Sequence, residues 1–312
     1  MTTPPNPGPE TPADTPAAAP AVLRATRPLY WSVRRELWEN KSIYVAPLAA
    51  AAVLLFGFFI STMTLSRRMQ AVQALDPGRQ RATVTMPFNV IAGLVFLTAF
   101  IVAVFYCLDA LHGERRDRSI LFWKSLPVSD LTTVISKASI PLVVLPLVVL
   151  AIVVIAHLFI LVLSTLVLLG NGPGLATLFA HVKFVQMSVA LLYALIAISL
   201  WHAPLYGWLL LVSGWARRSA FLWAVLPPLA IAVFERIAFQ SAHFGGWLRY
   251  RLIGWFTQAF IPHVKGEAPV ADPLAALTPG RFLGTPGLWA GLFFAALFLA
   301  AAVRVRRNRE PI

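Results

Sequence analysis

Charge is what this sequence has least of. Asp, Glu, Lys and Arg together make up 12% of its 312 residues, about half the roughly 25% usual in soluble domains. Acidic residues are the scarcer kind, 13 against 26 basic ones. A chain that is 58% hydrophobic would need an outsized core to hide that surface from water. Cysteine is nearly absent. Cys107 stands alone inside an apolar run, which excludes an intrachain disulfide and a cysteine-built metal site. Familiar catalytic patterns are missing too. There is no G-x-x-x-x-G-K-[ST] loop to cradle ATP phosphates, no H-E-x-x-H and no G-x-S-x-G. The six histidines never fall at the close helical spacing that would set two ligands on one metal.

What is present is apolar length. Several runs exceed the roughly 18 residues that mark a membrane span. The expected fold is all-α, a polytopic membrane protein with six transmembrane helices. The spans are read at about 43–65, 88–111, 140–169, 184–212, 220–239 and 288–303, within a domain covering 43–307. A kink is expected at Pro204 in the fourth span. Residues 1–27 form a Pro-rich tail whose first 20 residues hold seven prolines, a composition of disorder. Residues 28–41, PLYWSVRRELWENK, read as an amphipathic helix lying on the membrane surface. Trp31 and Trp38 share its apolar face with Tyr30, Val33 and Leu37. Arg35, Glu36, Glu39 and Asn40 fill the other. Between the last two spans lies a long outer region, 240–287. Its segment 247–262 is apolar and aromatic but interrupted by Arg249 and Arg251, so a membrane-dipping or interfacial helix fits better than a span.

The net charge of +13 needs no nucleic acid to explain it, because loop cations set membrane orientation. Lys and Arg crowd the N-terminal segment, the loop after the second span, the short turn after the fourth and the C-terminus. Both termini are therefore expected on the cytoplasmic side. Four polar groups sit at or near membrane depth: Asp109, His157, His202 and Glu235. Such residues are functional candidates, although a neutral imidazole hydrogen-bonded to a neighbouring helix would also explain His157, Glu235 lies close enough to the interface to reach it, and Asp109 can simply begin the cytoplasmic loop.

The densest charge cluster, LHGERRDRSILFWKSLPVSD at 111–130, lies on that same side. A solvated, orienting loop and a docking helix both satisfy it. The apolar quartet Ile120–Trp123 favours docking, since an orienting loop has no use for it. The segment resembles permease subunits of ABC-2 type ABC transporters. After the second span these carry a Glu-Arg pair, a short apolar segment, Leu-Pro-[Val/Leu]-Ser, and a Lys heading the third span. Here those positions are Glu114-Arg115, Ile120–Trp123, Leu126-Pro127-Val128-Ser129 and Lys137. Arg118-Ser119 departs from the Gly-Thr often found in the family. The specific motif covers Glu114–Lys137, and the layout resembles the family over about 28–307.

The resemblance implies a permease subunit that forms a substrate pathway, in the direction of export, in a bacterial inner membrane. It implies a coupling loop at 112–137 seated on a separate ATP-binding subunit, with Glu114, Arg115, Arg116, Arg118, Phe122, Trp123, Leu126, Pro127, Ser129 and Lys137 in the contact. Trp31, Arg35, Glu36 and Trp38 would serve the interfacial helix. Further implications are a second permease chain beside this one, no cofactor or metal on this chain, ATP and Mg on the partner, and no catalysis by this subunit. Two alternatives stay open: a membrane-embedded enzyme built on His157 or His202, and a non-transporting scaffold.

Overall fold

The computed structural model describes residues 26–117, 128–261 and 272–308. Arg118, Phe122, Trp123, Leu126 and Pro127, the first 25 residues of the tail and residues 262–271 lie outside them. Among the described residues the secondary structure is helical apart from one isolated antiparallel bridge, Phe260 to Leu277. The helices are α1 (Thr26–Glu39), α2 (Ser42–Ser61), α3 (Leu65–Gln73), α4 (Pro77–Ala110), α5 (His112–Arg116), α6 (Asp130–Ser139), α7 (Leu145–Leu168), α8 (Gly172–His181), α9 (Phe184–Trp215), α10 (Ala220–Ala238), α11 (His243–Ala259), α12 (Pro279–Leu283) and α13 (Pro286–Asn308).

Six helical stretches are long and apolar enough to cross a membrane: 42–73, 77–116, 130–168, 172–215, 220–238 and 286–308. The chain is an all-α, multi-pass membrane protein by length and composition. Its outer faces agree. Phe56, Ile155, Phe234, Ile237 and Phe293 are exposed, an apolar surface that lipid tolerates and water does not. Between helices in lipid there is little hydrophobic pull, so close packing of small residues matters more. Among the described residues the most extensive seam joins α9 to α13. A Cβ added at Gly207 would stand 3.2 Å from the Ala295 carbonyl oxygen and 3.3 Å from Phe298 Cβ, so glycine lets the two backbones approach.

The spans are longer than their apolar runs. α4 begins at Pro77, eleven residues before the expected start, because Asp76 caps it by accepting the Arg79 N–H at 3.1 Å and proline suits the first helical position. At about 1.5 Å per residue it is on the order of 50 Å long, well beyond a bilayer's roughly 30 Å hydrocarbon core. Its projecting end is covered by α3 and α8. Met69, Val72, Val84 and Leu178 are buried there in one cluster with the main core. The third span also starts early, at Asp130. Pro141 lacks an N–H, and the hydrogen-bond ladder widens over Ile140–Val144 into a π-helical segment before α7 resumes. Pro204 lies inside α9, which runs through as one helix. The segment 247–262, expected as a membrane-dipping or interfacial helix, is helical over His243–Ala259 as α11, starting four residues earlier. It packs on the middle of α9, where Trp201 Nε1 donates to the Arg251 carbonyl at 2.9 Å.

Replacing Gly207 by Leu is expected to force α9 and α13 apart. Overpacking of this kind costs about 1–3 kcal/mol. It should appear as a lower thermal unfolding midpoint of the purified chain in detergent, whereas Leu at exposed Gly93, with nothing within 4 Å of its added Cβ, should leave the midpoint unchanged.

Candidate functional site at the charged end of the bundle

One end of the bundle holds a chain of alternating charges drawn from four helices. Glu36 of α1 is 1% exposed. Its Oε1 accepts from Lys137 Nζ and from Arg35 Nη2, each at 2.9 Å, and its Oε2 accepts from the Tyr106 hydroxyl at 2.8 Å. Glu114 of α5 is the hub. Its Oε1 receives Lys137 Nζ at 3.1 Å and Arg35 Nη2 at 3.2 Å, and its Oε2 receives Arg306 Nη2 at 3.1 Å. Arg306, near the end of α13, also pairs with Asp130 at the start of α6. Carboxylates and cations thus alternate from Glu36 through Lys137, Glu114 and Arg306 to Asp130.

Local sequence explains each placement. Ser129 caps α6, its Oγ accepting the Thr132 N–H at 3.1 Å, and this frees Asp130 to face Arg306. Lys137 lies two turns on, on the buried face with Val134 and Ala138. Arg306 continues the buried stripe Leu288, Gly291, Ala295 and Ala302 of α13. The Glu114 loop is also fastened to α9. Arg115 Nη1 donates to the Gly214 and Ala216 carbonyls at 2.8 and 3.1 Å, at a helix end that favours a cation. Ser213 Oγ accepts the Leu111 and His112 N–H groups at 3.0 and 2.9 Å.

Burial pushes the Glu36 carboxyl up. The Lys137 ammonium, hydrogen bonds from Lys137 and Tyr106, and the charge of Arg35 push it down harder, leaving it below the ordinary carboxylate value. A carboxyl held lower in the folded chain than in the unfolded one adds stability above its unfolded value, near 4.5, and loses it as pH falls through the folded value.

The motif residues therefore divide. Glu114, Arg115 and Lys137 are turned into the protein, Ser129 is a helix cap, and Arg116 points outward at 59% side-chain exposure, pairing with Asp117. Asp109 is also exposed and lies 3.8 Å from Arg116. On α1 the aromatic face looks away from the bundle. Trp31 and Trp38 are more than half exposed, with the Arg34 guanidinium over both rings at 5.2 and 4.7 Å. Val33 and Leu37 pack against the core.

The remaining intramembrane candidates are scattered. His157 Nε2 lies 3.0 Å from the Phe88 carbonyl. His202 sits between the Ile198 and Leu252 carbonyls at 3.1 and 3.0 Å. Glu235 caps α11, receiving the Ser241 hydroxyl and the His243 and Phe244 N–H groups. Among the described residues no three His, Cys, Asp or Glu side chains gather where they could hold a metal ion.

No known protein family, curated protein or solved structure matches the chain. The site must be read from its own geometry. Sequence reasoning treated Arg306 as an orienting cation and did not single out Tyr106 or Ser213. Arg306 alone carried a usable signal, its place on the small-residue stripe of α13.

Lys137→Met should be strongly destabilising, by about 3–5 kcal/mol, because it removes the more deeply buried of the two cations, Lys137 and Arg35, that Glu36 and Glu114 share. Glu36→Gln in the same chain should recover much of that loss, which a double-mutant cycle of unfolding midpoints will measure. The wild-type midpoint should also fall as pH drops below about 4.5, and Glu36→Gln should flatten that fall.

Proposed function

We propose that this chain is the membrane-spanning subunit of a transporter whose energy comes from a separate soluble ATPase, similar to permease subunits of ABC-2 type transporters and acting in export. The observation that carries the reading is Glu114. A loop residue in the stretch with the family-like motif is joined by ion pairs to α1, α6 and α13, while its neighbour Arg115 holds the end of α9. A force applied to this loop reaches four helices directly. That is what a coupling element needs, and an orienting loop does not need it.

On this reading the roles within the motif differ. Arg116, outward and exposed, belongs to the docking face, where charges set orientation and association more than final affinity. Glu114, Arg115 and Lys137 belong to transmission. The charged end is the cytoplasmic end, both termini lie there, and the aromatic face of α1 rests in the headgroup region. A second permease chain would complete the pathway. ATP and Mg would reside on the partner, and catalysis would be the partner's.

The test is co-purification. The chain tagged after Ile312 and extracted gently should bring a soluble P-loop ATPase with it, with ATP hydrolysis in the eluate. Arg116→Glu should weaken that association. Glu114→Gln should leave the ATPase bound but uncouple its hydrolysis from the permease, seen as transport lost at constant ATP turnover. A chain that always comes out alone would sink the proposal.

A further inference from the structure

Arg251 is the one charged residue lining a half-open cavity of about 390 Å³ bordered by α9, α10, α11 and α13. The rest of the lining is apolar or aromatic, including Pro204, Trp208, Pro228, Trp247, Ala290 and Phe294. The volume falls within the range of small-molecule sites. Arg251 is 8% exposed. Its Nη1 donates to the Gly287 carbonyl at 2.9 Å, and its guanidinium carbon lies 4.9 Å from the centre of the Trp201 ring. Its Nη2 is buried and meets no acceptor among the described residues. No ion pair among the described residues includes it.

The side chain is also given room. A Cβ at Gly291 would fall 1.1 Å from Nη2, so glycine alone admits the guanidinium at that level of α13. Trp201 lies near the middle of α9, on the order of 20 Å along the helix from its charged end. Arg251 is thus a cation at membrane depth, where such groups are costly and mark functional sites. Among the described residues no carboxylate neutralises it. Glu235, the nearest acidic residue in sequence among those described, is occupied in capping α11.

We propose that the cavity binds an anionic amphiphile, with one phosphate or carboxylate on Arg251 and an apolar chain running past Trp208 and Phe294. Arginine suits either head group through charge-assisted hydrogen bonds, and the aromatic walls suit hydrocarbon. The inference is independent of the transport reading, since it concerns binding by this chain alone.

The experiment is native mass spectrometry of the full chain in neutral detergent, titrated separately with phosphatidylglycerol, palmitate and phosphatidylcholine. Selective retention of phosphatidylglycerol identifies a bilayer phospholipid as the occupant, and selective retention of palmitate a free single-chain acid. Arg251→Gln should weaken the selective ligand about ten-fold or more, the worth of one hydrogen bond to a charged group. Ala290→Phe, which fills the cavity and leaves Arg251 in place, should do the same. Arg249→Gln, at an exposed arginine two residues away, should not. The proposal is overturned if neither acid binds better than phosphatidylcholine, or if either Arg251→Gln or Ala290→Phe retains wild-type affinity.

Discussion

An ionised carboxylate almost out of reach of water, Glu36, organises one end of this protein. Burying such a charge alone costs several kcal/mol, so its partners have to be close and have to stay. They come from distant parts of the chain: Arg35 beside it, Tyr106 near the end of α4 and Lys137 from α6. Lys137 in turn serves Glu114, and Glu114 serves Arg306. Each helix that enters the cluster is held because leaving would strand a charge. In lipid, where apolar surfaces gain little by meeting one another, this gives a specific orientation that packing alone would leave loose.

That arrangement decides how the loop after α4 can move. Its first residues are not free. Ser213 receives two of its N–H groups, and Arg115 grips the carbonyls at the end of α9. A displacement there cannot be absorbed locally without breaking buried polar contacts. On the coupling proposed above it would pass to α1, α6, α9 and α13. The path along the third span soon meets Ile140–Val144, where the ladder has already widened around Pro141. A helix whose hydrogen bonding is already rearranged is an economical place to flex. On the coupling proposed above, a push on the loop would enter this ionic head and reach the π-helical turn of the third span.

Much of the fold was legible because apolar length is a coarse and robust signal. Six runs gave six crossing helices, and Arg249 and Arg251 marked 243–259 as something other than a span. The cap made by α3, α8 and the projecting part of α4 was missed, although Asp76-Pro77 is a helix-start signal in plain view. The inward turn of Glu36 was harder. Helical periodicity put it on the polar face of α1, and a polar face at a membrane surface can meet water or protein. What decided between them is Lys137, about a hundred residues away, and no local pattern carries that information. Arg306 could have been found, since it continues the stripe Leu288, Gly291, Ala295 and Ala302. Arg251 could not, because its neighbour Arg249 has the same chemistry and points out.

The scarcity of acid has a last consequence. The chain has 13 acidic residues, and at the charged end Glu36, Glu114 and Asp130 are committed to Lys137, Arg35 and Arg306. On the other side of the bundle Asp76 caps α4, Glu235 caps α11, and Asp272 accepts the Leu274 N–H. The same fold therefore treats two buried cationic regions differently. One is neutralised from within, by carboxylates placed to match it. The other, Arg251, has a carbonyl, an aromatic face and a cavity, but no carboxylate among the described residues. A buried charge left open among the described residues, beside an apolar space, is what the proposed anionic amphiphile would match.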